Sequence, residues 1–153
     1  MFIKKISEAK KRYYKLILLV GTHGSGKTIF LKKILQELQG SIINLNYEMS
    51  ERLHDIPQNE WNNHIDPIIG ELLPVNDQPI LIDNIEILFS PEFQLNPLQI
   101  LKRLSRTRVV IASWPGSYSD GQLTHGNMNN GEYFVANGAE IADIEICSLP
   151  VEG

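Results

Sequence analysis

The sequence has few residues of several types, and each shortage excludes a class of protein. One cysteine, Cys147, occurs among 153 residues, so no disulfide can form within the chain and a disulfide-stabilised secreted scaffold is excluded. No apolar run approaches the roughly 20 residues of a membrane-spanning helix. The basic start of the chain lacks the long apolar centre that a secretory signal requires. We therefore expect a cytoplasmic protein with no membrane association, in which Cys147 is a core thiol.

Length and composition fit one globular domain. The sequence is 42% hydrophobic and 21% charged, which excludes disordered and fibrous proteins. A chain of this length can bury roughly 68–70% of its unfolded surface. Since no repeat or long linker divides it, we expect a single domain over residues 1–153.

Charge is unevenly distributed along the chain. Residues 1–36 carry nine Lys or Arg and one acid, whereas residues 37–153 carry five and 17, and none of the cations follows Arg108. Because the main body is acidic, a nucleic-acid contact is expected only at the basic segment 1–15 or at the cluster Lys102, Arg103, Arg106 and Arg108. For segment 1–15, an acidic protein partner is slightly favoured over DNA. The cations of this segment are Lys4, Lys5, Lys10, Lys11, Arg12 and Lys15.

A phosphate-binding loop is predicted at residues 21–28. The segment matches the pattern G-x-x-x-x-G-K-[ST] between an apolar run and an amphipathic segment. Glycines let backbone N–H groups face phosphate oxygens, while Lys27 would reach the β- and γ-phosphates and Thr28 would bind Mg²⁺. The predicted nucleotide-binding residues are Gly21, Thr22, His23, Gly24, Ser25, Gly26, Lys27 and Thr28. His23 is expected to be an exposed loop residue.

Asp83, at the end of the apolar run 79–83, is the predicted second magnesium-binding residue beside Thr28. Related ATP-hydrolysing proteins carry Glu directly after this aspartate as the base, but Asn84 stands there. Since an amide cannot accept a proton from water, either Glu86 is the base or hydrolysis is slow. Ser113, expected just past a strand, is either a sensor of the γ-phosphate or a turn residue, and Trp114 is expected to pack rather than to stack on a base.

Strands and helices are expected to alternate, which predicts an α/β fold with a parallel sheet between two helical layers. The predicted strands are 16–20, 41–45, 79–83, 109–112 and 143–147. The predicted helices are 3–14, 27–39 ending at a left-handed Gly40, irregular helices within 48–73 broken by Pro57 and Pro67, and a helix starting at Asn96-Pro97. Residues 116–138 are expected to form a loop or hairpin, with turns at Asp120-Gly121 and Asn130-Gly131.

Four parts of the sequence resemble the BrxF family, the small P-loop ATPase-like proteins of type 3 BREX bacteriophage-defence systems. They are residues 20–28, residues 82–89 with Asp-Asn-Ile-Glu, residues 104–106, and residues 109–116 with Trp-Pro-Gly. The resemblance covers residues 16–118. It implies a P-loop NTPase core of the AAA type with strand order 5-1-4-3-2, a cytoplasmic location, and work in a multiprotein defence complex that contains a DNA methyltransferase.

The sequence departs from ordinary AAA ATPases in its late segment. No arginine follows Arg108, so the usual arginine finger and lid arginine have no candidate, and no separate lid domain is expected. Arg103 and Arg106 are the candidates for a cation supplied to a neighbouring subunit. We expect a Mg-ATP-binding protein with weak or partner-activated hydrolysis. The alternatives are a small-molecule kinase and a nucleotide-bound DNA-binding or scaffold module without turnover.

Overall fold

The computed structural model describes residues 2–126 and 132–149. Its strands are β1 (Leu16–Gly21), β2 (Ser41–Asn44), β3 (Ile80–Asp83), β4 (Val110–Pro115), β5 (Ser117–Ser119), β6 (Gln122–His125), β7 (Phe134–Asn137) and β8 (Glu145–Ser148). Its α-helices are α1 (Phe2–Ala9), α2 (Lys27–Leu35), α3 (Leu45–Leu53), α4 (Ile65–Leu72) and α5 (Pro97–Leu104). Short 3-10 helices cover Gln58–Asn63, Glu86–Phe89, Pro91–Phe93 and Gly138–Glu140. None of the described helices has the length and apolar character needed to cross a membrane.

Five strands form one parallel sheet, in the order β2-β3-β4-β1-β8. Leu16 of β1 lies opposite Val110 of β4, and Ser41 of β2 lies opposite Ile80 of β3. With β8 counted as the fifth strand of this sheet, the order is the expected 5-1-4-3-2. The predicted α/β class and the five-stranded parallel sheet are therefore confirmed.

Helices cover both faces of the parallel sheet. Because successive strand residues point to opposite faces, Leu18 of β1 packs in the core shared with α3, α4 and α5, whereas Ile17 and Leu19 pack with α1 and α2. Burial on both sides explains why β1 is a continuous apolar run rather than an alternating one. The arrangement is compatible with three αβα layers.

Two helices end earlier than the sequence predicts. The first stops at Ala9, after which tight turns lead the chain into β1. The second stops at Leu35 rather than residue 39. Gly40 does not adopt the expected left-handed conformation; a Cβ there would lie 2.8 Å from the carbonyl oxygen of Pro79. The glycine is therefore needed for a close approach between the chain segments that lead into β2 and β3.

The segment between β2 and β3 is more regular than predicted. Leu45 belongs to α3 instead of β2, because the Asn44 side chain accepts a hydrogen bond from the Tyr47 N–H and caps the helix. Pro67 lies in the first turn of α4 and does not break it. A proline is tolerated there because the backbone N–H it lacks has no partner within the helix.

A second, antiparallel sheet in the order β5-β6-β7 lies within residues 116–138. Asp120 and Gly121 have φ of 53° and 75°, as a type I′ hairpin turn requires. The predicted hairpin is confirmed in this part, and a third strand extends it. The other predicted turn, Asn130-Gly131, lies outside the described residues.

Candidate functional site

A glycine-rich loop joins β1 to α2 at the carboxyl edge of the parallel sheet. Gly24 and Gly26 have φ of 81° and 96°, a conformation that residues with a Cβ rarely adopt. A Cβ at Gly21 would collide with the Ser25 side chain. Gly26 precedes α2 without a side-chain cap, so its first turn presents backbone N–H groups that suit an anion.

Lys27 folds back over this loop. Its Nζ donates to the carbonyl oxygens of Gly21 at 2.7 Å and Thr22 at 2.9 Å. Partial burial lowers the pKa of Lys27, while the negative charges of Glu86 and Asp83 oppose that shift. The ammonium group therefore lies inside the loop, close to two carboxylates, and is held by oxygens that it can exchange for those of a ligand.

Asp83 is the centre of a buried hydrogen-bond network. Its Oδ2 accepts from the Thr28 hydroxyl at 2.6 Å, and its Oδ1 accepts from the Ser113 hydroxyl at 2.6 Å and from the Asn84 N–H at 3.0 Å. Only 4% of Asp83 is exposed. The network brings together the two residues predicted for magnesium, which lie 55 positions apart in the sequence.

The structure places Ser113 differently from the prediction. Strand β4 extends to Pro115, so Ser113 lies within the strand and not past its end, and only 1% of it is exposed. Its hydroxyl donates to Asp83, which makes Ser113 a positioning residue for that carboxylate. Trp114 is fully buried and packs against Phe89 and Phe134, as predicted.

Asn46 is a site residue that sequence reasoning missed. Its Nδ2 donates to Glu86 Oε2 at 2.8 Å, its Oδ1 accepts from the Ile87 N–H at 2.8 Å, and its own N–H donates to the Asn84 carbonyl at 2.9 Å. Asn46 thus fixes both the segment after β3 and the Glu86 carboxylate. The available signal was its place just past β2, since carboxyl ends of neighbouring parallel strands meet at one sheet edge.

A cleft of about 320 Å³ joins these groups. From the loop, His23, Gly24 and Gly26 line it; Thr28, Asp83, Asn84 and Glu86 complete the polar lining, and Lys27 is the one lysine or arginine among the described lining residues. His23 lines the cleft and is exposed, as expected for a loop residue. The site therefore combines one cation, two carboxylates and a helix N-terminus.

The remaining predicted residues lie away from this cleft. Arg103 of α5 donates to Asp66 at 2.7 Å on the surface, and the Arg106 guanidinium lies 5.0 Å from the Tyr13 ring centre. Cys147 is partly buried, which raises the pKa of its thiol. These residues do not take part in the arrangement around Asp83.

Comparisons with protein-family models and with curated proteins find no match to this chain. The chain is an α/β protein whose parallel sheet carries a glycine-rich loop after β1 and a buried carboxylate at the end of β3. The resemblance to BrxF stays a prediction.

Proposed function

We propose that this chain is a P-loop NTPase that binds Mg-ATP in the cleft and hydrolyses it slowly unless another protein completes the site. One observation carries the proposal. Lys27 and Thr28, the first residues of α2, lie beside Asp83, the last residue of β3, with the Thr28 hydroxyl and the Asp83 carboxylate 2.6 Å apart. A helix N-terminus, a lysine and a carboxylate paired with a hydroxyl are the parts that P-loop proteins use to bind nucleoside triphosphates.

The residues present fit both ligands. Backbone N–H groups of the loop and the Lys27 ammonium would bind phosphate oxygens, with Lys27 exchanging the Gly21 and Thr22 carbonyls for the ligand. Thr28 and Asp83 provide the oxygen donors that Mg²⁺ prefers, and Ser113 holds Asp83 in place. Bound Mg²⁺ would neutralise the charge of the phosphates.

Glu86 is the proposed general base. Asn84 occupies the usual base position, and its amide cannot take a proton. Glu86 is the other carboxylate that lines the cleft beside Asp83, but its Oε2 accepts a hydrogen bond from Asn46. Hydrolysis requires Glu86 to take a proton from the attacking water, but one oxygen of its carboxylate already accepts the hydrogen bond from Asn46. We therefore expect the isolated chain to hydrolyse ATP slowly.

A second cation must come from outside this cleft, because Lys27 alone lines it among the described lysines and arginines. Arginines supplied in trans contribute about 10³–10⁵ in rate at comparable sites. We propose that Arg103 or Arg106 of a second copy, or an arginine of another protein, provides it. The resemblance to BrxF extends the proposal to a cytoplasmic, multiprotein anti-phage defence complex.

Phosphate release under single-turnover conditions tests the proposal. Wild type should turn over far below about 10 s⁻¹. Glu86→Gln should lower the rate about 10²-fold or more, as expected for loss of a general base. Glu92→Gln, an exposed carboxylate outside the cleft, is the matched control and should match wild type. Turnover near 10 s⁻¹ by the lone chain, or an unchanged rate in Glu86→Gln, would contradict the proposal.

A further inference from the structure

A second cavity, of about 440 Å³, lies at the amino edge of the parallel sheet. Its lining includes Lys15, Pro79 and Val109, the residues that directly precede β1, β3 and β4. Because all five strands run parallel, these starts share the edge opposite the glycine-rich loop. The length of β1 separates the two edges by roughly 17 Å, so a ligand in this cavity is distinct from one in the cleft.

The cavity is cationic. Lys10, Lys15 and Arg108 line it, and Asp77 is the acid among its lining residues. No carboxylate within residues 2–126 and 132–149 forms an ion pair with any of the three cations. Three cations and one acid leave the lining with an excess of positive charge, and a concave surface with such an excess attracts anions.

Backbone carbonyls orient two of these cations without neutralising them. Lys15 Nζ donates to the Arg106 carbonyl at 3.0 Å, and Arg108 Nη1 donates to the Pro74 carbonyl at 2.9 Å. The buried Nε of Arg108 has no hydrogen-bond partner. That Nε is enclosed by the protein and out of reach of a ligand, so what Arg108 offers the cavity is its positive charge, held in place by the Pro74 carbonyl.

An exposed aromatic residue is close in sequence to the cavity. Tyr13, two residues before Lys15, is 61% exposed, and the Arg106 guanidinium lies over its ring. Arg106 is itself joined to Lys15 through its carbonyl. Cationic surfaces interleaved with aromatic rings and arginine planes bind unpaired bases by stacking. An acidic peptide would use the charges but not the ring.

We infer that this cavity binds the phosphodiester backbone of single-stranded nucleic acid, with an unpaired base stacked beside it on Tyr13. A flexible strand can follow a narrow basic surface, whereas a rigid duplex would also approach the acidic body formed by residues 37–153. The inference favours a nucleic-acid partner over the acidic protein surface that charge distribution alone suggests. It does not depend on nucleotide binding in the cleft.

Fluorescence anisotropy of a labelled 20-nucleotide oligo(dT) with the full chain tests this inference. The variant is the double substitution Lys10→Gln/Lys15→Gln. The control is Lys32→Gln/Lys33→Gln, which removes the same charge from two exposed lysines of α2 outside the cavity. Thermal melting checks that each variant is folded.

Three phosphate contacts predict a log–log salt slope of about −2 for wild type, because each contact to a single strand contributes about −0.7. The cavity variant should bind at least about tenfold more weakly, with a slope near −0.7, whereas the control should keep the wild-type slope. Tyr13→Ala should weaken binding about 5-fold or more through lost stacking. Lys27→Ala should bind oligo(dT) normally even where it fails to bind nucleotide, which separates this inference from the proposed function.

Any one of the following results would overturn the inference. They are no binding of oligo(dT) by the full chain at low salt, equal losses in the cavity variant and the control, and tighter binding of polyglutamate of the same length. The last result would assign the cavity to an acidic protein partner. Tighter binding of a duplex than of the single strand would overturn the assignment to unpaired nucleic acid.

Discussion

Replacing Ser113 by alanine removes one hydrogen bond from the network around Asp83. Both residues are buried, and the bond has a charged acceptor at 2.6 Å. Hydrogen bonds to charged groups contribute about 1.5–3 kcal/mol. Asp83 keeps its bonds from Thr28 and from the Asn84 N–H, so we expect the free energy of unfolding to fall by about 2 kcal/mol.

Urea unfolding followed by tryptophan fluorescence measures this loss. For a chain of this size it corresponds to a fall in Tm of about 4–8 °C. Ser119→Ala, at an exposed position of β5, is the control and should change stability by less than about 0.5 kcal/mol. A double-mutant cycle of Ser113→Ala with Asp83→Asn should give a coupling energy of about 1.5 kcal/mol. Additive effects, or a loss below about 0.5 kcal/mol, would refute the role of this bond.

The same variant distinguishes a positioning residue from a phosphate sensor. If Ser113 acts through Asp83, Ser113→Ala should weaken binding of Mg-ATP but leave binding of ATP in excess chelator unchanged. Calorimetric titration measures both affinities. Equal weakening in the presence and absence of Mg²⁺ would show that the hydroxyl reaches the phosphates directly, as the alternative drawn from the sequence supposes.

Three further predictions follow from single residues. Burial lowers the pKa of Lys27 below 10.5. Because phosphate binds the protonated lysine, the affinity for Mg-ATP measured by calorimetry should fall as pH rises through that lowered pKa. Constant affinity up to pH 10.5 would contradict this. Asn84 has a φ of 54°, a left-handed conformation that glycine adopts freely and glutamate does not. In urea unfolding, Asn84→Gly should therefore be at least as stable as wild type, and Asn84→Glu about 1 kcal/mol less stable. The reverse order would show that the backbone at residue 84 is not strained. Gly40→Ala should lower Tm by about 2–12 °C because its Cβ would meet the Pro79 carbonyl oxygen. An unchanged Tm would show that the backbone around residue 40 shifts without cost.

Local patterns predicted the parts of the fold that depend on contiguous residues. The apolar run of β1, the glycine-rich loop and the Asn96 cap of α5 each need only a few neighbouring residues. The prediction of a left-handed helix cap at Gly40 was wrong. A glycine is needed there because a side chain would collide with the carbonyl oxygen of Pro79, which is distant in sequence. At such positions, the residue that is required depends on which chain segments the fold brings together, and a local pattern does not show this.

The sequence predicted most residues of the candidate site but not the hydrogen bonds between them. Lys27, Thr28 and Asp83 were expected together because the motif specifies a strand, a loop and a second strand end. The hydrogen bonds from Asn46 to Glu86 and from Ser113 to Asp83 join residues 40 and 30 positions apart. The periodic patterns that predict helices and strands do not predict contacts between such distant residues. The cationic cavity was equally hidden, since its lining comes from the starts of three strands and their neighbours.

Isothermal titration of Mg-ATP into wild type, Lys27→Ala and Lys33→Ala tests the nucleotide site most directly. Lys33 is an exposed lysine of α2 outside the cleft, and circular dichroism checks that each variant is folded. We expect wild type and Lys33→Ala to bind Mg-ATP, and Lys27→Ala to bind it at least about 100-fold more weakly because the charged hydrogen bonds are missing. Unchanged Mg-ATP affinity in a folded Lys27→Ala variant, or no binding by wild type, would contradict it.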